Sequence, residues 1–236
     1  MATWRPKVYL AVDASGAAAA ARRGQVVLIV DVVDMSTTLE SALEAGAVAV
    51  YGASMLPRPR HLPVPVCPGK VGYAAAQAAK ARGSGVIVVA EPRAGSQGER
   101  LLRAGAVLAG IRAAGGTVAA VLPNLGKETP RLFPFAGRAV VAVTASGGVA
   151  YDAAFHAGGK VVTGTVARTY RSKGAVPARR AAARAWAVAT AEGRDICVVA
   201  ASRHSLEDRL GAAYIFRLLV AAARRGIMFS SPAAYG

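Results

Sequence analysis

Short, unbroken runs rich in valine and isoleucine alternate with longer alanine-rich runs along almost the whole chain. The apolar runs predict strands over 6–12, 26–32, 47–52, 86–90, 117–122, 138–144, 160–165 and 195–201. The stretches between them predict helices over 36–46, 71–82, 97–114, 147–157, 175–192 and 206–225. Strands that stay apolar at successive positions are buried on both faces, and intervening helices supply the crossovers that parallel pairing needs. The pattern therefore predicts an α/β fold of mainly parallel sheets covered by helices. One segment breaks the rhythm, "MLPRPRHLPVPVCPG" at 55–69. Proline cannot donate to a central ladder, so this reads as an exposed loop or arm, either a flap that meets a partner or a stiff spacer.

The pattern also repeats. "IVDVVDMSTTLESALEAGAVAVYGAS" (29–54) resembles "AVTASGGVAYDAAFHAGGKVVTGTVA" (142–167), with Gly46 and Gly52 matching Gly158 and Gly164 at the same interval. "IVVAEPRAG" (87–95) resembles "CVVAASRHS" (197–205), and Glu99-Arg100 then parallels Glu207-Asp208. Order and spacing agree across both pairs, which predicts two similar α/β halves from an internal duplication, 1–130 and 131–236. Open α/β sheets bind ligands at the carboxyl ends of their strands, so two such halves would frame a cleft.

Composition sharpens the picture in three places. Hydrophobic residues make up 54% but aromatic residues only 6%; alanine carries much of the count, so helices should approach sheets closely. The net charge is +16, which points to anionic partners or to a solvated basic surface. The positive charge is uneven: no Asp or Glu lies between Asp152 and Glu192, while Arg168, Arg171, Lys173, Arg179, Arg180 and Arg184 do. Two isolated cysteines, Cys67 and Cys197, make neither a disulfide framework nor a zinc motif and fit a reduced, cytoplasmic setting. The first residues lack the apolar core of a signal peptide, and no run reaches the roughly 18 residues of a membrane span.

Four stretches carry candidate chemistry. Asp31 ends an apolar strand, Asp34 follows, and Ser36 is a candidate helix N-cap with Thr37 and Thr38 in the first turn. A helix start presents free N–H groups to a phosphate, hydroxyls add donors, and a carboxylate nearby can share Mg²⁺ with it; the plain alternative is a capped helix. In "AEPRAG", Glu91 and Arg93 stand where a strand delivers its loop, as base or metal ligand and as an anion fork, or as a surface turn. In "ASGGVAYD", Ser146 and Gly147 open a helix closely enough for backbone to meet an anion, or merely pack tightly. In "AASRHSLEDRLGAA", Arg203, Glu207 and Asp208 meet a sheet edge, or begin an ordinary capped helix, and adjacent acids do not share a helix face. Walker, Rossmann, GxSxG, HExxH and kinase signatures are missing.

These stretches, in this order, resemble the 2-phosphosulfolactate phosphatase family, the ComB-like proteins. "DVVDMSTTLESALEAGA" resembles the family's Asp, hydrophobic pair, Arg-Ala, Ser/Thr triplet and helix. "EPRAG", "LGKETP", "TASGG" and "ASRHSLED" resemble its later motifs. The resemblance spans most of the chain. It implies an α/β fold in two related halves and Mg²⁺-dependent release of phosphate from a small phosphorylated, sulfonated substrate in coenzyme M biosynthesis. Asp31, Glu207 and Asp208 would hold the metal. Asp31, Glu91 and Glu207 would do the chemistry. Ser36, Thr37, Thr38, Arg93, Ser146, Gly147 and Arg203 would hold phosphate and substrate. The chain departs from the family where Asp34 replaces an Arg, Ser146 replaces an Asn and Lys127-Glu128-Thr129 replaces Asn-Ser.

Two alternatives stand beside the hydrolase. The altered motifs suit a descendant that binds a phosphorylated metabolite without turning it over. Charge alone suggests a nucleic-acid binder, which the lack of RRM, KH or zinc-finger signatures and the scarcity of aromatics disfavour. No membrane partner is expected. An apolar α/β chain of this size is often a homodimer, although no interface is legible in the sequence.

Overall fold

Eight strands form among the residues that the computed structural model describes, 4–55 and 63–225. They are β1 (Val8–Val12), β2 (Val26–Val30), β3 (Ala49–Ser54), β4 (Val86–Ala90), β5 (Val118–Pro123), β6 (Ala139–Thr144), β7 (Lys160–Gly164) and β8 (Ile196–Ala200). They assemble into two four-stranded sheets with the orders β1-β8-β2-β7 and β3-β6-β4-β5. Every pairing is parallel, with registers such as Val26↔Ile196 and Ala49↔Ala139. The helices are α1 (Asp13–Arg22), α2 (Met35–Glu44), α3 (Pro68–Lys80), α4 (Gln97–Arg103), α5 (Gly105–Ala113), α6 (Gly147–His156), α7 (Val176–Glu192) and α8 (Leu206–Arg225).

Burial on both faces of the strands sorts these elements into five layers. Val27, Ile29, Cys197 and Val199 of one sheet and Ile87, Val89, Val140 and Ala142 of the other face a central layer of α1, α2 and α6. The alternate residues, Val26, Leu28, Val30, Ile196 and Val198, pack under α7 and α8. Val86, Val88, Val141 and Val143 pack under α3 and α5. Small residues permit the close approach that composition predicted: a Cβ on Gly72 would stand 3.0 Å from the main-chain carbon of Val107, and one on Gly110 would stand 2.7 Å from that of Gly69.

The strand order maps onto itself when β1, β2, β3 and β4 exchange with β5, β6, β7 and β8. The connectivity has this symmetry whatever its origin. Residues 1–130 and 131–236 do not each own a sheet: β1 and β2 share theirs with β7 and β8, and β3, β4 and β5 share theirs with β6. Helices α2 and α6 carry the chain from one sheet to the other.

Several details differ from the pattern. Helix α1 follows β1 without a turn; its alanines, Ala17, Ala18, Ala20 and Ala21, show no polar face to mark a period, and they bury against α6. The single helix expected over 97–114 divides at Ala104, and a 3₁₀ turn forms at Gly126–Arg131. Of the Pro-rich segment, 56–62 lie outside the described residues. Its end is docked: Val66 is buried with Ala14, Ala18, Val149 and Ala153, the Cys67 amide donates to Asp152 Oδ1 at 2.8 Å, and Pro68 opens α3. The basic stretch is partly committed to the fold. Arg180 meets Glu44 at 2.7 Å and Arg184 meets Glu40 at 2.5 Å, pinning α7 to α2. Among the described residues, no helix is long and apolar enough to cross a membrane.

Candidate functional site

Both sheets point their strand ends the same way, because each crossover helix returns the chain before the next parallel strand. The turns after β2, β4, β5, β6, β7 and β8 therefore gather at one end of the molecule. Asp31 lies at their centre and is 2% exposed. Its Oδ1 accepts the Asp34 amide at 3.0 Å, and the Met35 amide also lies against its carboxylate. Ser146 Oγ donates to its Oδ2 at 3.4 Å from the second turn. Gly147 leaves the carboxylate room: a Cβ there would stand 2.8 Å from Asp31 Cβ and Cγ and closer still to Oδ2. Burial, and next the Asp208 carboxylate, push the Asp31 carboxyl up to about 7, against the Asp34 amide.

Asp208 reaches the same place from α8. It is 3% exposed, and its Oδ1 accepts the Val32 amide at 2.8 Å. Burial raises its carboxyl, while the Val32 amide and the Ser205 hydroxyl pull the other way. The first and last candidate loops thus meet. Neighbouring Glu207 is exposed and accepts from Ser205 Oγ at 3.2 Å, because consecutive residues on a helix point apart. Arg203 lies outside the group around Asp31. Its amide donates to Asp13 Oδ1 at 2.8 Å and its guanidinium pairs with Asp13 Oδ2, at the start of α1.

The hydroxyls of the first stretch face inward. The helix begins at Met35, with Asp34 at the N-cap position, so Ser36 sits one residue inside rather than capping it. Ser36 Oγ donates to Ile29 O at 3.1 Å and accepts the Asp31 amide at 3.1 Å. Thr37 Oγ1 donates to Val32 O at 2.6 Å and lies 2.9 Å from Thr165 Oγ1. Thr38 donates to Asn124 Oδ1. All three brace the turn instead of lining an open cradle.

The outer rim carries charge of both signs. Arg93 Nη2 meets Asp34 Oδ1 at 3.2 Å, and its Nε donates to Asn124 O at 3.0 Å. Glu91 is half-buried; burial raises its carboxyl and nearby Asp34 adds to this, while Arg103 and Arg93 lower it. Asn124 was not among the sequence candidates, although it follows β5 directly, as Asp31 follows β2. Its Oδ1 accepts from Thr38 and from the Gly126 amide at 3.4 Å, and its buried Nδ2 has no hydrogen-bond partner among the described residues.

Among the described residues, no group of three or more His, Cys, Asp or Glu is placed to hold a metal by itself. Asp31 and Asp208, the second bonded to the Val32 amide beside the first, are the two buried carboxylates that could share an ion at this turn. Mg²⁺ commonly takes one or two carboxylates and completes its shell with water and substrate phosphate, and the pair fits that habit. No protein-family model matches the chain, and no curated protein sequence matches it.

Proposed function

We propose that the chain is a Mg²⁺-dependent phosphoric monoester hydrolase acting on a small acidic phosphoester, as its resemblance to 2-phosphosulfolactate phosphatases implies. The Asp31–Asp208 pair carries this reading: two buried carboxylates, each raised by burial, with no ion pair to any described residue. Such a pair calls for a proton or a hard cation. Asp31 and Asp208 would hold the ion, and Glu207 takes no part. Bound there, Mg²⁺ would neutralise charge on a phosphate oxygen. The start of α6, where Ser146 makes no cap bond and Thr144 Oγ1 already accepts the Gly148 amide at 2.8 Å, would turn its remaining amides toward the same phosphate. Arg93 would grip the second anionic group of the substrate, and Glu91 would hold a proton for the leaving oxygen. A panel of small acidic phosphoesters assayed with and without Mg²⁺ tests this. The expected result is phosphate release that needs the ion and disappears in Asp31→Ala. Unchanged turnover in that variant removes Asp31 from the mechanism, and turnover indifferent to a chelator removes the metal.

A second reading, a binder of a phosphorylated metabolite without turnover, draws support from the altered motif position Asp34, an acid where the resembled family carries an Arg, which pairs with Arg93 at the rim. It expects a ligand-dependent rise in melting temperature with no phosphate released on the same panel.

A further inference from the structure

The first sheet ends in a strand that nothing among the described residues pairs or blunts. β1 bonds to β8 alone. Ile196 donates to Lys7 O at 2.9 Å, so the alternation of a strand turns the amides and carbonyls of Val8, Leu10 and Val12 toward the open side. Proteins commonly protect such an edge with a charge, a proline, a bulge or a covering element. Residues 8–12, VYLAV, contain no charge and no proline, and their register with β8 runs without a bulge. The matching edge of the other sheet is treated differently. β5 ends in Pro123, α4 lies along it, and Gln97 Nε2 donates to Val121 O at 3.1 Å.

The open edge continues into an apolar face. Leu10 is 49% exposed and Val12 39%; beside them Leu206 is 60% and Leu210 61% exposed, and Tyr214 follows on the same stripe of α8 at 42%. Leu10, Val12, Leu206 and Leu210 line one groove. Part of this face is backbone, whose outward amides and carbonyls match another extended strand, and the flanking charges say which strand. Lys7 precedes β1 and Asp13 follows it. In an antiparallel pair centred on Leu10, Val8 falls opposite Val12, and Lys7 of one copy falls opposite Asp13 of the other. Asp13 already accepts from Arg203, so the seam ends in a mixed-charge cluster at each side.

We propose that a second copy of this chain docks here, pairing the two β1 strands antiparallel about a two-fold axis at Leu10. The sheets of both copies become one continuous eight-stranded sheet. The axis runs perpendicular to that sheet, so both α8 helices lie on the same face and meet along Leu206, Leu210 and Tyr214. Such an interface is self-complementary, as a closed two-fold dimer requires, and it satisfies the edge amides while burying the apolar stripe.

Sedimentation of the full chain, with amide hydrogen exchange over the same concentrations, tests this. The expected result is a dimer at about 100 µM and protection of the Val8, Leu10 and Val12 amides that grows with concentration. Leu10→Lys sets two ammonium groups against each other at the axis and should weaken the dimer about a hundredfold, with an unchanged circular dichroism spectrum. Leu210→Glu tests the helical half of the seam without touching the strand. A chain that stays monomeric at that concentration overturns the proposal. So does protection independent of concentration, which would mean that another part of the same chain covers β1. A dimer that persists in both variants places the interface elsewhere and also overturns it.

Discussion

The turns that open α2 and α6, four residues and two residues long, end alike and do opposite things. Each follows the last residue of a parallel strand and begins a ten-residue helix that crosses to the other sheet. Their N-cap positions have similar dihedrals, φ −118° and ψ −88° at Asp34, φ −112° and ψ −67° at Ser146, and neither side chain caps its helix. The residues differ where it matters. The first helical position is Met35 in α2 and Gly147 in α6. Met35 is fully buried, with its sulfur filling the space beside Gly52 and Tyr151. Gly147 leaves empty the space that Asp31 enters from the other turn. One turn supplies the carboxylate and the other supplies its room, so the repeated backbone yields a single site instead of two.

Making the two first positions alike should break this division most severely. Met35→Ala should cost about 3 kcal/mol, as for a long apolar side chain removed from a core that cannot collapse fully. Gly147→Ala should cost about 2 kcal/mol by overpacking. Denaturant unfolding of both variants gives these values. Their consequences separate: under the proposed function, Met35→Ala keeps phosphate release in proportion to folded protein, whereas Gly147→Ala loses it because Asp31 is displaced. Equal loss of turnover in both would mean that the site depends on packing in general, with no special part for the space at Gly147.

The charge in the first turn gives a stability effect of comparable size, but one that appears only as pH is changed. The Asp31 carboxyl stands at about 7 in the folded chain against 3.8 ordinarily, so the folded state keeps a proton that the unfolded state releases near pH 4. Stability of the metal-free protein, compared with Asp31→Asn, should therefore fall as pH rises from about 4 to 7, by as much as about 4 kcal/mol. Above pH 7 the difference levels off. The measurement is the wild-type minus variant unfolding free energy at a series of pH values. Mg²⁺ should recover the loss at pH 8 in the wild type and leave the variant unmoved. A difference that is flat with pH would mean that Asp31 is solvated or paired in solution.

Legibility in the sequence followed the physics of each feature. Unbroken Val/Ile strands and the helices between them were plain, since burial on both faces leaves a local mark. Helix α1 was not, since alanines such as Ala17 and Ala20 serve a helix without giving it a period. The family resemblance sets Asp31 beside Glu207 and Asp208, and of the two acids Asp208 arrives there. Which of Glu207 and Asp208 turns inward depends on the rotation of α8, to which a pair of adjacent acids is blind. The fate of the hydroxyls was equally hidden. Ser36, Thr37 and Thr38 suit a phosphate or a buried brace by composition alone, and only the proximity of Ile29, Val32, Thr165 and Asn124 decides between them. The mixing of both halves in each sheet is a matter of long-range pairing, which no local pattern records.

The smallest effect concerns the N-cap positions themselves. Asp34→Ser writes the α6 residue into α2. The Asp34–Arg93 pair joins side chains 53% and 32% exposed on the Arg and Asp sides, and such pairs contribute at most about 1 kcal/mol. No cap bond is lost, because Asp34 makes none. Stability should therefore change by less than about 1 kcal/mol. The site should respond more than the fold, in two ways with one origin. Removing the Asp34 charge lowers the Asp31 carboxyl, which Asp34 helps to raise. It also frees the Arg93 guanidinium, which Asn124 O still positions at 3.0 Å. A phosphorylated carboxylic acid should then raise the melting temperature of Asp34→Ser more than that of the wild type. If the ligand stabilises both equally, Asp34 is not competing for Arg93, and the anion either does not reach this rim or is held by the start of α6 alone.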